Sequence, residues 1–164
     1  FAQTQSMAAS MDPKAAKRED GYIAVGNVNT DFTEKNIKLL ELANGQFLAV
    51  RWEDTGDVYV IPCASTAFSY PLIDGELFFG PMGPAIRVPL DGTEYDLTTG
   101  AVITWCPGGG NPVKAVLGAL KKAADPIPLK SYPVRVEADG TVTTTFTQAN
   151  ASEGFANKTA TEEQ

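Results

Sequence analysis

Histidine is absent from all 164 residues of this chain. Its absence removes the commonest general base at neutral pH and every imidazole metal site, leaving carboxylates and thiolates to do acid–base or ligand chemistry. Cysteine is nearly as scarce: Cys63 and Cys106 are the only two, at most half of a tetrathiolate site. Basic residues are outnumbered, 13 Lys and Arg against 20 Asp and Glu, for a formal charge of −7. Nucleic-acid phosphates demand a basic patch and anionic lipid repels a chain of this net charge, so neither is expected as a partner. No apolar run approaches the ~18 residues that cross a bilayer, so any membrane attachment is peripheral. The Gly-x-x-x-x-Gly-Lys-Ser/Thr and Gly-x-Gly-x-x-Gly phosphate-binding patterns are missing as well.

What is present is a chain with 43% hydrophobic residues, enough for one modest core. Its expected division is an N-terminal tail over 1–21, a folded domain over 22–146 and a C-terminal tail over 147–164. The first tail mixes Gln, Ser, Ala and charges, with room for a short helix interrupted at Pro13. The second is polar. Neither buries enough apolar surface to order itself, and both are read as arms held by partner subunits. The opening Phe1-Ala2-Gln3 resembles the residues left at plastid-import cleavage sites in algae with red-derived complex plastids, which implies a removed leader; an arbitrary boundary is the alternative.

Between the tails, short runs of β-type residues alternate with turn signals, as in a small sandwich or barrel. Residues 37–42 lead through Asn44-Gly45 to 46–52, then through Thr55-Gly56-Asp57 to 58–61, a meander that delivers Cys63 to its end. Further strands are expected over 85–89, 93–97, 101–105, 132–137 and 141–146. Acidic pairs along them, Glu53 with Asp54 and Glu94 with Asp96, are read as solvated faces.

Two of the loops carry a resemblance. The first reads Pro62-Cys63-Ala64-Ser65, and the second, over 88–100, reads VPLDGTEYDLTTG. Together with LKSYPVRVEADGTVT near the end, they resemble a Rieske domain, whose cluster needs two Cys and two His from a Cys-x-His and a Cys-x-x-His loop. Cys63 stands in a cysteine position. Ser65 replaces the first histidine, Val88 the second cysteine and Asp91 the second histidine. The resemblance implies a mainly β, Rieske-like antiparallel sandwich or barrel whose iron ligands are lost, so no cofactor is assigned. Asp91 with Ser65 could offer oxygen ligands to a hard cation, or Asp91-Gly92 is simply a turn.

A departure from that pattern is the insertion after Cys106. Asn111 is a suitable N-cap, Pro112 suits the first helical position, and Val113, Val116, Leu117 and Leu120 share one face. One amphipathic helix over about 111–125, packed on the sheet, is expected. The glycines before it, with Lys114, could cradle an anion or form a plain turn. Cys106-Pro107-Gly108-Gly109-Gly110 takes the place of the proline-rich loop that covers the cluster in Rieske proteins, with residues 80–84, Gly-Pro-Met-Gly-Pro, as a second candidate cover. Cys63 and Cys106 are then either two free thiols or a disulfide. Asn150 and Asn157 begin glycosylation sequons, patterns common by chance.

Ligand-less Rieske-like proteins occur among accessory subunits of plant and algal photosystems. The resemblance therefore implies a non-enzymatic subunit bound peripherally to a thylakoid photosystem supercomplex, leaning to photosystem I and the stromal side. Its partners would be the photosystem core and neighbouring subunits. Candidate contacts are Phe68, Tyr70, Leu77, Phe78, Phe79 and Met82 at the former cluster tip, which in a Rieske protein docks on the redox partner; filling of the vacated pocket is the alternative. A second expectation is a soluble plastid redox or assembly factor using a Cys63/Cys106 dithiol couple.

Overall fold

Phe47, Leu48, Ala49 and Val50 run together without a polar side chain, so a strand through them must bury both faces. They are the centre of β3 (Gly45–Arg51), which lies between β2 (Ile37–Leu42) and β4 (Val58–Pro62) in an antiparallel sheet. This sheet is the middle layer of the computed structural model, which describes residues 21–122 and 124–150. The expectations for residues 1–20, for most of the C-terminal tail and for the Asn157 sequon lie outside the described residues.

A second sheet, on one side, joins β1 (Ile23–Asn27), β10 (Thr141–Thr144) and β9 (Val134–Val136) in that order. A third, on the other side, runs β5 (Glu76–Gly80), β6 (Gly83–Arg87), β7 (Glu94–Asp96) and β8 (Val102–Thr104). Every pairing is antiparallel. Side-chain alternation in β3 splits the interior into two cores. Leu48, Val50 and Ile61 pack with Ile86, Val88, Tyr95 and Leu97, whereas Phe47, Ala49, Val58 and Val60 pack with Val25, Leu40 and Val142. The mainly β, antiparallel architecture implied by the sequence is thus the one observed.

Two strands differ from the expected list. β1 contains Gly26 and a register shift between Ala24 and Gly26, so its alternation is broken. A Cβ at Gly26 would stand 2.7 Å from Asp31 Oδ2, the same oxygen that accepts from the Asn27 N–H at 2.7 Å. β5 lies in the segment expected to be loop, because Gly80, Gly83 and Pro84 read as breakers. They instead form the turn and first residues of a regular β5–β6 hairpin. Glu94 and Asp96 also depart from the solvated-face reading. Glu94 holds Arg87 at 2.8 Å, and Asp96 is buried, its Oδ2 accepting from the Thr99 N–H at 3.0 Å to form the next turn. After that turn, Gly100 is required: its φ is +81°, and a Cβ there would collide with the Leu129 carbonyl.

The inserted helix, α1, spans Pro112–Lys121 and is capped by the Asn111 side chain, which accepts from the Lys114 N–H at 2.8 Å. It is shorter than the expected 111–125, and its packing corrects the expected one. Val113, Val116 and Leu120 are 55%, 59% and 67% exposed. The inward side is instead formed by Lys114, Leu117, Gly118 and Lys121, because Gly118 lets the helix backbone come down onto Gly108.

Candidate functional site

The ends of β4 and β6 bring the two former ligand loops to one end of the molecule. The first loop is closed by the Leu72 N–H donating to the Cys63 carbonyl at 2.8 Å and the Ser65 N–H to the Tyr70 carbonyl at 2.9 Å. Ser65 Oγ then accepts from the Tyr70 N–H at 3.0 Å, so this buried hydroxyl is committed to holding its own loop. In the second loop the Val88 N–H donates to the Thr93 carbonyl and the Gly92 N–H to the Val88 carbonyl, both at 2.8 Å. Asp91 Oδ1 accepts from the Thr93 N–H at 2.9 Å, the geometry of an Asp-Gly turn. Asp91 is fully buried, and its Oδ2 has no hydrogen-bond partner among the described residues.

Tyr95 ties the loops together. Its hydroxyl accepts from the Thr66 N–H at 3.0 Å and bonds Thr66 Oγ1 at 2.7 Å, while Thr66 Oγ1 donates to the Ile127 carbonyl at 2.6 Å. Burial pushes the Tyr95 hydroxyl above its ordinary pKa, against the lowering effect of its Thr66 bonds. Cys106 lies over the second loop, with its N–H donating to Thr93 Oγ1 at 3.1 Å and its thiol 3.3 Å from the same oxygen. Burial likewise raises the thiol pKa, opposed by the Thr93 hydrogen bond. A buried thiol held in its protonated form is a poor nucleophile.

Above this the layers continue outward. A Cβ at Gly92 would sit 3.0 Å from Pro107 Cγ, and one at Gly118 would sit 2.7 Å from Gly108 Cα. Residues 106–108 therefore cover the second loop, and α1 covers them. Lys121 Nζ reaches across to 5.1 Å from the centre of the Phe68 ring in the first loop. A cleft of about 520 Å³ lies beneath α1, lined by Trp105, Cys106, Pro107, Ala115, Gly118 and Lys121 among others. The alternative cover, residues 80–84, is the turn at the opposite end of the β5–β6 hairpin from residues 88–93. Gly108, Gly109 and Gly110 all have positive φ, near 75°, and form a turn into the Asn111 cap.

Both cysteines are free, and each has its own neighbour: Cys106 the Thr93 hydroxyl and Cys63, half-buried, the Gln46 Oε1 at 4.0 Å. The six proposed contact residues separate. Phe68 and Tyr70 belong to the first loop, and Tyr70 packs on the core. Leu77, Phe78 and Phe79 are consecutive in β5. Leu77 packs on the core and Phe78 lies under the Arg87 guanidinium at 4.4 Å, while Phe79 is 72% exposed and Met82 52%. Phe79 meets Trp52 at 6.1 Å, beside the acidic turn of Glu53, Asp54 and Asp57. Sequence reasoning missed Trp52, which only the β3–β5 juxtaposition brings to Phe79.

These residues do not fit an iron–sulfur cluster. Val88 has no donor atom and is buried in the core, Ser65 Oγ and Asp91 Oδ1 are spent on their own loops, and Cys63 leans toward Gln46. One thiol and one carboxylate oxygen do not replace two thiolates and two imidazoles.

Residues 22–145 match the family model described as a Rieske-like [2Fe-2S] domain. No curated protein matches the chain. Solved structures share the fold at low identity. One is assigned as the small subunit of an NADH-dependent nitrite reductase from Mycobacterium tuberculosis, with TM-score 0.55 and 13% identity over 80% of this chain and 96% of that one. A ferredoxin from Sphingomonas yanoikuyae B1 gives TM-score 0.52 and 22% identity over 75% and 96%. The terminal oxygenase of carbazole 1,9a-dioxygenase from Novosphingobium sp. KA1 gives TM-score 0.53 and 20% identity, over 92% of this chain and 35% of that one.

Proposed function

The chain belongs to the Rieske-like [2Fe-2S] domain family, and we propose that it is a cluster-free, non-enzymatic accessory subunit of a larger assembly. The observation that carries this reading is the internal use of the former ligand positions. Ser65 and Asp91 close the loops they stand in, and Val88 completes the core, so the frame persists without its metal. What remains is a folded platform with exposed binding surface.

The partner surface in this reading is the end carrying the exposed Phe79 and Met82, with half-buried Trp52 against Phe79 and the acidic turn of Glu53, Asp54 and Asp57 following Trp52 in the chain. Aromatic and Met side chains are enriched at interface centres, and an acidic rim selects a basic partner. We place the subunit at a thylakoid photosystem, leaning to the stromal side of photosystem I, on its resemblance to ligand-less Rieske-type accessory proteins.

The test is mass spectrometry of native gel bands from gently solubilised thylakoids, comparing wild type with Phe79→Ser. Stoichiometric migration with one photosystem, lost in the variant while the purified variant stays folded, is the expected result. Migration of the wild type as a free small protein would overturn the reading.

A further inference from the structure

A sheet edge offers unpaired N–H and C=O groups to any passing chain, and folded proteins guard such edges with charge, proline, bulges or brevity. Most edges of these sheets follow that rule. β1 carries the register shift at Gly26, β2 carries Lys38 and Glu41, β4 is bridged to Tyr132, and β8 and β9 are three residues long. β5 has none of these devices. It pairs with β6 without a register shift, and Leu77, Phe78, Phe79 and Gly80 bring neither charge nor proline to its open side. The hairpin register fixes which of its backbone groups face outward. Gly80 and Gly83 flank the turn Pro81-Met82, so Gly80, Phe78 and Glu76 exchange hydrogen bonds with β6 while Phe79 and Leu77 turn away from it. Pro84, opposite Phe79, agrees with this alternation: it has no N–H to give, and its carbonyl accepts from the Leu97 N–H at 3.0 Å, on the side of β7. The N–H and C=O groups of Leu77 and Phe79 therefore have no backbone partner among the described residues.

We propose that β5 takes up an extended, basic segment of a partner protein as an added strand, with Leu77 and Phe79 making the main-chain hydrogen bonds. In such additions main-chain pairing gives affinity and neighbouring pockets give selectivity. The pocket here is a cleft of about 240 Å³ at Leu77, lined also by Asn36, Arg51, Trp52, Glu53 and Asp54. Glu53 and Asp54 are exposed and form no ion pair among the described residues. Arg51, the base in the same cleft, holds Asn36 Oδ1 at 3.4 Å. A Lys or Arg side chain of the added strand meets the two carboxylates there, and apolar side chains beside it lie along Phe79, which is 72% exposed and packs on Trp52. The same charges argue against a second copy as the occupant. Two β5 edges paired about a two-fold axis would bring Glu53 and Asp54 of both copies, each with a formal charge of −7, to one seam.

This inference rests on the reading of this end as the partner surface and names how the partner is held. Its test is amide hydrogen exchange of the purified full chain with the blocked peptide acetyl-Lys-Val-Lys-Val-Lys-Val-amide and with its Glu-for-Lys counterpart. The basic peptide is expected to bind and to slow exchange at the Leu77 and Phe79 amides, leaving those of Glu76 and Phe78, already paired to β6, as they were. The acidic peptide is expected to do neither. Phe79→Pro removes one outward N–H at a position that β6 does not use, where an edge strand tolerates proline, and is expected to stay folded and bind about fivefold more weakly. Glu53→Gln/Asp54→Asn, on an exposed turn, is also expected to weaken binding about fivefold. No binding of the basic peptide, binding without new protection at residues 77 and 79, equal binding of the acidic peptide, or binding unaltered in both variants would each overturn the proposal. Protection of these amides without peptide, rising with protein concentration, would overturn it in favour of a second copy. Loss of Phe79→Ser from the photosystem band without protection by the peptide sinks strand addition alone. Protection by the peptide, with a wild type that migrates free, sinks the photosystem reading alone.

Discussion

Cys106 and Tyr95 are weak acids that the fold holds in their protonated forms, chiefly through burial. Their ordinary pKa values are 9.0 and 10.0, and Tyr59 and Tyr132 are raised in the same direction. The unfolded chain therefore releases these protons first as pH rises. Stability is fully present below about pH 9, where both states keep their protons, and is lost as pH climbs toward the raised folded values. Urea midpoints measured between about pH 8 and 11 are expected to fall steadily, and Cys106→Ala is expected to make the early part of that fall shallower. A midpoint independent of pH over this range would contradict the burial of these groups. At this scale part was legible: the two loops that carry Cys63, Ser65, Val88 and Asp91 could be picked out by their motifs, and the structure brings them to one end. The pairing of Cys106 with Thr93 could not, because it depends on residues 106–108 lying over the second loop at Gly92 and Thr93.

At the scale of elements, α1 is a helix whose outer row contributes little to its own attachment. Its start depends on the Asn111 side chain, and its docking on Gly118 against Gly108. Asn111→Ala is expected to cost about 1 kcal/mol of local helix stability, read as faster amide exchange over 112–121 with the β-strand amides unchanged. Leu120→Ser, at an exposed position, is expected to shift global stability by no more than about 0.5 kcal/mol. A large global loss in Leu120→Ser would mean that the outer row is core. The existence of α1, its cap and its Pro112 start were all legible, and so was the β2–β3–β4 meander. The helix's outward face was not, because a 3.6-residue period records that one side is apolar without recording what it meets. β1 and β5 escaped for a different reason. A register shift and glycine–proline punctuation erase the alternation by which a strand is recognised.

For the whole molecule, the three-layer arrangement explains how the frame outlives its metal. β3 packs one face against each outer sheet, and Tyr95, Leu72 and Leu129 fill the interior behind the former ligand loops. The loops close on Ser65, Asp91 and the Tyr95–Thr66 pair. With interior and loops both self-sufficient, the two ends of the molecule are left for contact: an aromatic end beside Glu53, Asp54 and Asp57, and an aliphatic one at the outer row of α1. The fold class was legible because the loop motifs and the strand rhythm pointed the same way. The two-ended surface was not, since it arises only when β5 meets Trp52 and α1 lies over residues 106–108.

The most direct measurement is anaerobic reconstitution of the purified chain with iron and sulfide, followed by metal analysis and electron paramagnetic resonance of the dithionite-reduced sample. The account predicts a colourless protein with no stoichiometric iron and no signal from a reduced cluster. Two irons per chain with a Rieske-type signal would contradict it.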